Sequence, residues 1–566
     1  MNFYLKATKI LMLILVVVFI FLRCNKNNTV GVIAKKAMVV SAKKEASTIG
    51  VAILKKGGNA VDAMVATHFA LAVVYPVAGN IGGGGFMVYR DKSGLKKTLD
   101  FREKAPINAY RDMYLDSLGN IINKKSVLGA NAVGIPGSVA GMFEAHKKLG
   151  SLPITDLIQP AIDLARDGFT ITKKQADDLN NATERIHNVN TYKTIFDKVL
   201  KEGDVLIQEE LAQTLERIRD LGSKGFYEGK TANLLVTYTT ELGGIITYED
   251  LKKYRAIWRK PIEFYYKNYT ITSMNLPASG GICLAQILKS IEPFEVSKLK
   301  HNSTQYIQLL TEAERRSYAD RAHYLGDIDF VDVPLDSLID QKYLNKRMES
   351  FYWDKATPSS TISHGEILGY ESDETTHYSI VDPFGNAVSI TTTLNTGYGS
   401  KVLVKGAGFF LNNEMDDFSS KPGTPNVYGL VGSKANEIAP EKRMLSSMTP
   451  TIVEKDSNLF MVVGTPGGST IITSVLQNIL NVVEFDMGMQ KSVNQPRFHH
   501  QWLPDVIRME PNGFDSTTKK ELENLGYEIL ERNSLIIGRV DAILVRKDGT
   551  LEGGADKRGD DTAVGF

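Results

Sequence analysis

The sequence predicts an α+β fold, a layered sandwich in which helices cover β-sheets. Three observations lead to this prediction. The stretch 125–260 has mainly helical periodicity, the last third of the chain contains short alternating strands, and further helices follow those strands. Hydrophobic residues make up 43% and charged residues 23% of the 566 residues, which is enough apolar material for one large layered core or for several smaller ones.

The first elements are a short strand and two helices. The apolar run Met38–Val40 predicts a strand, and Thr48–Lys56 places apolar residues on one helical face before a pair of glycines. Asn59 suits the N-cap of a second helix that continues to Val74. Small and apolar residues surround the axis of this second helix, so we predict that it is buried.

Four glycines, Gly82–Gly85, lead into the next predicted strand. The run resembles a phosphate-binding loop only in composition, because no Gly-Lys-Ser/Thr follows and the chain enters a strand instead of a helix. Nucleotide binding is therefore disfavoured. Close packing of backbone beside an active site is the preferred interpretation.

The remaining elements follow from the same patterns of periodicity and turn residues. The polar stretch Ser350–Glu374 predicts a surface loop of the kind that tolerates cleavage. Helices are predicted from Ser138, at Pro160–Ala165, at Glu209–Leu221, after Pro277, at Thr311–Tyr324 (charged and amphipathic) and at Thr470–Val482. Strands are predicted at Phe264–Ser273, His377–Asp382, Ala387–Thr393, Phe409–Leu411, Pro450–Val453, Leu459–Val463, Ile507–Met509 and Ala542–Val545.

The charge balance argues against a polyanionic partner. The chain has 66 basic and 65 acidic residues, a formal net charge of +1, and the basic residues are scattered singly and in pairs. Nucleic-acid binding requires a concentrated basic surface. We therefore expect no nucleic-acid partner.

Residues 1–24 are predicted to be an export segment. Two lysines precede the apolar run Ile10–Leu22, whose length is typical of a signal peptide and short for a membrane span. Cys24 follows this run as in a lipoprotein, but Arg23 stands where such sites carry a small residue. Lipidation at Cys24, an uncleaved membrane tether and ordinary cleavage stay open, and each predicts an exported protein, periplasmic or membrane-anchored.

Cys283 is the only other cysteine. A single cysteine in the exported body cannot form an intramolecular disulfide, so the core must provide the stability. Its neighbours are apolar and none is basic, which predicts a buried, unreactive thiol.

Thr375 stands between the polar loop that ends at Glu374 and the predicted strand His377–Asp382. A threonine hydroxyl is a weak nucleophile and needs a base within hydrogen-bond reach. If the bond after Glu374 is cut, the new α-amino group of Thr375 is that base, because its reference pKa of about 8 leaves a useful neutral fraction. The sequence contains no Gly-x-Ser-x-Gly elbow, so a serine-hydrolase mechanism lacks support.

The segment Thr375–Ser379 resembles the start of the small subunit of γ-glutamyltranspeptidases, which are N-terminal-nucleophile hydrolases. The resemblance extends from about Met38 to Phe566. Each motif is weak alone, but their order and spacing together are highly specific. The other matching motifs are Gly57–Ala63, Gly82–Gly85, Asp100–Glu103, Tyr318–Arg321, Leu394-Asn395, Asn412–Phe418, Ser446–Pro450 and Pro466–Ser469.

The resemblance implies a four-layer αββα sandwich that is made as one precursor. It implies cleavage between Glu374 and Thr375 into a large subunit, residues 25–374, and a small subunit, residues 375–566, which together form one domain. The mature protein is then a heterodimer of its own two fragments. The resemblance also implies γ-glutamyl transfer and hydrolysis, with glutathione as the obvious donor, amino acids, peptides or water as acceptors, and no metal or organic cofactor.

The resemblance further assigns a role to each matching position. Thr375 is expected to attack the γ-glutamyl carbonyl, Thr393 to hydrogen-bond its hydroxyl, and the backbone amides of Gly467 and Gly468 to form the oxyanion hole. Tyr428, in a loop rich in proline and glycine, is expected to close over the site. The substrate's α-carboxylate is assigned to Arg102, Ser446 and Ser447, and its α-ammonium to Asn395, Glu414 and Asp417.

Two other functions compete with this interpretation. One is an acylase of the same fold that acts on glutaryl side chains or poly-γ-glutamate. The Tyr428 lid and the three ammonium-binding residues argue against it, because a glutaryl group has no ammonium. The other is an uncleaved, inactive binding protein anchored for export, which the intact set of Thr375, Thr393 and the two oxyanion-hole glycines opposes.

Overall fold

The computed structural model describes residues 29–363, 375–421, 423–531 and 536–566. The predicted export segment, with Cys24, lies outside these ranges, as does Glu374. Two seven-stranded sheets, antiparallel throughout, form the centre of the fold. No helix in the described part of the chain is long and apolar enough to cross a membrane.

The nucleophile sheet contains the strand that begins at Thr375. That strand, Thr375–Val381, pairs on one side with Ala387–Thr393 and on the other with Met38–Ser41. The connection between the first two strands, residues 382–386, contains the predicted turn Pro383–Asn386 and fixes their register. In order across the sheet, the strands are Thr562–Gly565, Met38–Ser41, Thr375–Val381, Ala387–Thr393, Gly84–Arg90, Lys96–Asp100 and Ile257–Arg259.

The second sheet carries the segments that lead to the other side of the site. Its central strand Asn458–Gly464 runs directly into Pro466–Ser469. In order across the sheet, the strands are Val32–Ala34, Leu551–Gly554, Asp541–Val545, Asn458–Gly464, Thr451–Lys455, Tyr269–Ser273 and Ile262–Tyr266.

Three apolar cores hold the layers together. Met38, Phe86, Ile452 and Ile543 belong to the core between the two sheets. A second core joins the nucleophile sheet to one helical layer, and a third joins the other sheet to helices on its far side. Burial of each apolar sheet face against helices gives the predicted four-layer αββα sandwich.

The helices form the two outer layers. Ala60–Val74 is buried along its whole length, as predicted, and Asn59 caps it through both bonds of a capping box. Cys283 is buried in Gly280–Ile291, and burial raises the pKa of its thiol to about 11. The remaining α-helices are Lys44–Lys55, Ser138–Leu149, Ile154–Asp167, Lys173–Val189, Glu209–Leu221, Lys224–Tyr227, Gly229–Glu241, Tyr248–Lys253, Thr304–Tyr324, Leu335–Leu338, Gln341–Met348, Thr470–Val483, Met489–Val493 and Ser516–Asn524.

Some predicted elements were wrong in kind or extent. Phe264–Ser273 is not one strand, because a turn at Lys267 divides it into two paired strands. Phe409–Leu411 is not a strand, and only an isolated bridge joins Phe410 to Leu403. The strands at Val32–Ala34, Ile257–Arg259, Leu551–Gly554 and Thr562–Gly565 were missed, as was the small sheet formed by Phe169–Thr170 with Val205–Leu206. The predicted strand Ile507–Met509 is confirmed, but its partners Phe498–His499 and Ile529–Glu531 were missed.

The helix Thr304–Tyr324 was predicted to begin later and to be a charged amphipathic helix. Instead, every residue from Tyr306 to Ala322 is buried. Its charged side chains are tolerated because they have partners inside the protein: Arg316 pairs with Glu312 at 2.6 Å and Arg321 reaches the site. Charge alone was therefore a poor guide to exposure in this segment.

Candidate active site

The nucleophile strand brings two threonine hydroxyls together. Thr375 lies directly opposite Thr393 in the antiparallel ladder, and their Oγ1 atoms are 3.4 Å apart. Both side chains are buried, each about 3% exposed. The Thr393 hydroxyl also accepts the backbone N–H of Asn395 at 2.7 Å and hydrogen-bonds the Glu414 carboxylate. This second threonine is thus held in one orientation beside the first.

His377, two residues after Thr375, is unsuited to act as its base. Its ring nitrogens lie 2.9 Å from the Thr391 hydroxyl and 3.1 Å from the Ser379 hydroxyl. Complete burial lowers the pKa of the ring to about 3, so it stays neutral at physiological pH. Its place in the strand is structural.

The second wall of the site is a turn, Pro466–Ser469, which we call the glycine turn. Gly467 and Gly468 have φ values of +137° and +52°, which favour glycine at both positions. The carbonyl of Gly467 accepts the backbone N–H of Thr470 at 2.9 Å, so the turn continues directly into the helix Thr470–Val483. Within the described ranges, the N–H groups of Gly467 and Gly468 donate to no other backbone group. Backbone N–H groups at a helix N-terminus are a common binding site for anions, so the predicted oxyanion-hole role of these glycines stays a prediction.

The third wall is a cluster of charges around Arg102, which is 1% exposed. Its guanidinium contacts the Glu414 carboxylate at 2.6 Å, the Asp417 carboxylate at 2.5 Å and that of Glu103 at 3.6 Å. The sequence analysis assigned Arg102 to the carboxylate of the substrate and the two acids, Glu414 and Asp417, to its ammonium. The structure pairs them directly, because opposite charges with little access to water stabilise each other.

The cluster contains more negative than positive groups. Burial raises the pKa of Glu414 and Asp417 in spite of the nearby Arg102, and it raises the pKa of Glu103 to about 8. Burial therefore favours the protonated form of each carboxyl group, and the charge of Arg102 opposes that tendency. A second cation in this pocket would stabilise the ionised carboxylates and so lower the pKa values of the three groups.

Ser446 and Ser447 line the same cavity as Arg102, Glu414 and Asp417. The Ser446 hydroxyl accepts the backbone N–H of Met448 at 3.1 Å. The Ser447 hydroxyl accepts from Arg321 at 3.1 Å, and Arg321 also donates to Ser279 at 2.9 Å. Arg321 is buried, and burial lowers its pKa, so a second guanidinium stands directly behind the serine pair.

The lid loop, residues 423–430 of the described chain, covers the pocket. The Tyr428 hydroxyl donates to the backbone carbonyl of Asn395. Asn426 donates to Asp417 at 3.1 Å, and the N–H of Val427 donates to Asp416 at 2.8 Å. Asp416 is buried, and burial raises its pKa to about 6. The lid is therefore tied to the acidic segment that contacts Arg102.

The structure brings all the predicted site residues together. Every one except Gly467 lines a single cavity, and Gly467 precedes Gly468, which does. Sequence reasoning missed Glu103, although it follows Arg102 in a matching motif, and it missed Arg321, which ends another. It also missed Leu430, Met448 and Ile471, the apolar residues of the cavity wall. Those three carry no chemical signal in a sequence.

The described residues contain no group of three or more His, Cys, Asp or Glu side chains that could hold a metal ion. That the reaction needs no cofactor stays a prediction.

Comparison with known proteins agrees with this geometry. The family model for gamma-glutamyltranspeptidase matches residues 46–566. The chain belongs to the γ-glutamyltranspeptidase family. It is 47% identical over 538 residues to a glutathione hydrolase proenzyme of Escherichia coli, covering 94% of this chain and 92% of that protein.

Solved structures of this family and fold are also similar. The gamma-glutamyltranspeptidase of Helicobacter pylori is 46% identical with a TM-score of 0.56, covering 57% of this chain and 94% of that one. A cephalosporin acylase from Bacillus halodurans is 24% identical with a TM-score of 0.82, covering 95% and 97%. At that identity, the acylase supports the αββα N-terminal-nucleophile fold alone.

Proposed function

We propose that this protein transfers and hydrolyses γ-glutamyl groups, with glutathione among its donors and amines or water as acceptors. The observation that carries the proposal is the placement of a buried Arg102–Glu414–Asp417 cluster beside Thr375 and Thr393. A γ-glutamyl group places a zwitterion at one end and the reacting carbonyl at the other. The site has features that match both ends in one cavity.

Recognition of the zwitterion exchanges one set of ion pairs for another. The substrate's α-carboxylate replaces the acids as the partner of Arg102, with the Ser446 and Ser447 hydroxyls as further donors. Its α-ammonium replaces Arg102 as the partner of Glu414 and Asp417. A glutaryl group satisfies only the first half and leaves two buried carboxylates without a cation, which is costly.

Acylation begins at Thr375. Its α-amino group, free after cleavage, takes the hydroxyl proton while Oγ1 bonds to the γ-carbonyl carbon. The carbonyl oxygen becomes an oxyanion, which the N–H groups of Gly467 and Gly468 stabilise. When the carbon–nitrogen bond breaks, the protonated α-amine returns a proton to the leaving amine, and the γ-glutamyl group remains as an ester on Thr375. Water or an acceptor amine then attacks this ester by the reverse proton path.

The same hydroxyl performs the maturation step. Attack of the Thr375 hydroxyl on the carbonyl of Glu374 moves that acyl group from nitrogen to oxygen, and water then releases it. Residues 25–374 and 375–566 form the two subunits. In the precursor the nitrogen of Thr375 is an amide without basicity, so the uncleaved chain is inactive.

Export is the second part of the proposal. The apolar run Ile10–Leu22 behind two lysines supports a signal segment that places the protein in the periplasm or tethers it to a membrane, with Cys24 as a lipidation candidate. Fractionation of cells that make the full chain tests this. Recovery in the cytoplasm with an intact N-terminus would contradict it.

One experiment tests the catalytic proposal. The full chain should give two bands on a denaturing gel, the smaller beginning Thr-Thr-His on N-terminal sequencing, and should release p-nitroaniline from γ-glutamyl-p-nitroanilide. Thr375→Ala should give a single band and activity at background, because both steps lose their nucleophile. Two bands from Thr375→Ala, or a smaller fragment that begins elsewhere, would overturn the assignment.

A further inference from the structure

Gln501 lies between the lid loop and the glycine turn without lining the cavity. It is 4% exposed and follows the short strand Phe498–His499. Its side-chain amide makes hydrogen bonds to both the lid loop and the glycine turn. Because one amide is bonded to both segments, a movement of the lid loop can change the position of the glycine turn.

One end of the amide holds the lid. The Nε2 group donates to the backbone carbonyl of Tyr428 at 3.3 Å and to that of Leu503 at 3.1 Å. Two carbonyl oxygens need a donor between them, so the chemistry of the neighbours fixes the amide orientation. The lid residue that covers the reacting threonines is therefore held at its backbone as well as at its hydroxyl.

The other end of the amide holds the glycine turn. The Oε1 atom accepts the Ser469 hydroxyl at 2.7 Å and Arg508 at 3.4 Å. Ser469 directly follows Gly468, whose N–H is assigned to the oxyanion. On the opposite side, Gly468 meets the Tyr428 ring so closely that a Cβ there would lie 2.4 Å from it.

We propose that Gln501 is a positioning residue that couples closure of the lid loop to the geometry of the glycine turn. When Tyr428 closes, its carbonyl fixes the Gln501 amide, and the amide oxygen in turn fixes the hydroxyl of Ser469. The N–H groups of Gly467 and Gly468 then point at the developing oxyanion only while the lid is closed. This inference rests on the proposed γ-glutamyl transfer.

The chain offers a matched control in Gln477. This glutamine is similarly buried, 3% exposed, and its amide also bridges backbone groups: it donates to Thr473 at 3.0 Å and to Phe498 at 2.7 Å. These two partners lie outside both the lid loop and the glycine turn. A purely structural role for Gln501 predicts that the same change at either position has the same consequences.

The first measurement compares Gln501→Glu with Gln477→Glu. Glutamate keeps an acceptor for Ser469 but replaces the donor to the Tyr428 carbonyl with a repelling oxygen. Gln501→Glu should lower kcat for γ-glutamyl-p-nitroanilide about tenfold or more and should speed limited proteolysis within residues 423–430. Gln477→Glu should change the melting temperature without either effect. Equal losses of kcat and equal proteolysis in the two variants would overturn the proposal.

The second measurement is a double-mutant cycle of Tyr428→Phe with Ser469→Ala. In the protein with Gln501, the combined change in kcat/KM should depart from the product of the single changes by about threefold or more. In the Gln501→Leu background, the two changes should multiply independently. An additive cycle with Gln501 present, or the same coupling in the Gln501→Leu background, would overturn the proposal.

These results are separable from a failure of the proposed function. If the unaltered protein releases no p-nitroaniline, γ-glutamyl transfer fails as the function. Proteolysis of the lid in Gln501→Glu and Gln477→Glu then still shows whether Gln501 holds the lid. If the unaltered protein is active and the cycle is additive, only the coupling fails.

Discussion

The two sides of the site are built in different ways. On the reacting side, Thr375, Thr393 and the glycine turn are uncharged and sit on sheet strands or at a helix start. On the binding side, Arg102 and three carboxyl groups are ionisable and sit on loops and a single short 3₁₀ turn, Glu414–Asp417. Chemistry at a carbonyl needs fixed geometry, and a sheet provides it. Recognition of a zwitterion needs charges that can exchange partners.

This difference predicts opposite kinetic signatures. A change on the reacting side should lower kcat, because it removes an interaction present only in the transition state. A change on the binding side should raise KM, and the effect should depend on whether the substrate carries both charges. A reacting-side variant that mainly raises KM, or a binding-side variant that mainly lowers kcat, would contradict this comparison.

Among the substitutions that leave Thr375 in place, the largest effect is expected from Gly468→Ala. An alanine there meets a φ of +52° and places a Cβ 2.4 Å from the Tyr428 ring, so the turn and the lid cannot both keep their positions. We expect kcat for γ-glutamyl-p-nitroanilide to fall about 10²–10³-fold, the usual loss when an oxyanion donor is misplaced. Steady-state kinetics of the purified protein measures this.

Gly423→Ala is the matched control for that variant. Gly423 lies in the lid loop with a φ of +81°, and a Cβ there meets nothing within 4 Å. It suffers similar backbone strain without touching the turn. Equal losses of kcat in the two variants would show that lid strain, and not the oxyanion geometry, limits the reaction.

Asp417→Asn tests the binding side. Asparagine keeps the shape and the contact with Asn426 but removes the charge that pairs with Arg102 at 2.5 Å. KM for γ-glutamyl-p-nitroanilide should rise about 30-fold or more, the scale for a buried charge pair, with a much smaller change for glutaryl-p-nitroanilide.

Asp416→Asn removes the same charge one residue earlier, where the carboxylate contacts Ser126 and Val427 and not Arg102. It should not discriminate between the two substrates. If Asp417→Asn also affects both substrates equally, Asp417 does not bind the ammonium.

The sequence predicted one side of the site better than the other. Alternation and the turn at Pro383–Asn386 predicted the strand pair, and the resemblance to a family implied the contact between Thr375 and Thr393. The positions of the charged residues came from their resemblance to a family, but their mutual ion pairs did not follow. Arg102 and Asp417 are 315 residues apart, and no local pattern reports such a contact.

Burial of charge was the other property that sequence did not reveal. The helix Thr304–Tyr324 has the composition of a surface helix, yet it is buried and sends Arg321 to Ser447. The lid–Gln501–Ser469 bridge was missed for the same reason, since a glutamine between a histidine and a tryptophan has no distinctive spacing. Both depend on tertiary contacts between segments that are far apart in the sequence.

The smallest expected effect is the release of protons from the binding side when a ligand binds. Burial raises the pKa values of Glu414 and Asp417, and that of Glu103 to about 8, which favours protonated carboxyl groups in the free cluster. An incoming ammonium lowers these pKa values, so binding of L-glutamate should release a fraction of a proton at pH 7. Calorimetry in buffers of different ionisation enthalpy measures that fraction.

The sign of this release fixes its pH dependence. Because the pKa values are higher in the free site than in the bound site, release occurs only at pH values between the two and should vanish at higher pH, once the free and bound forms are both ionised. Glu414→Gln should reduce the release at pH 7, whereas Glu295→Gln, at a surface pair with Lys298, should not. No proton release on binding at pH 7 would mean that the buried carboxyls are already ionised in the free protein. The ionisation state of the binding side would then stay the same when substrate binds, just as the geometry of the reacting side does.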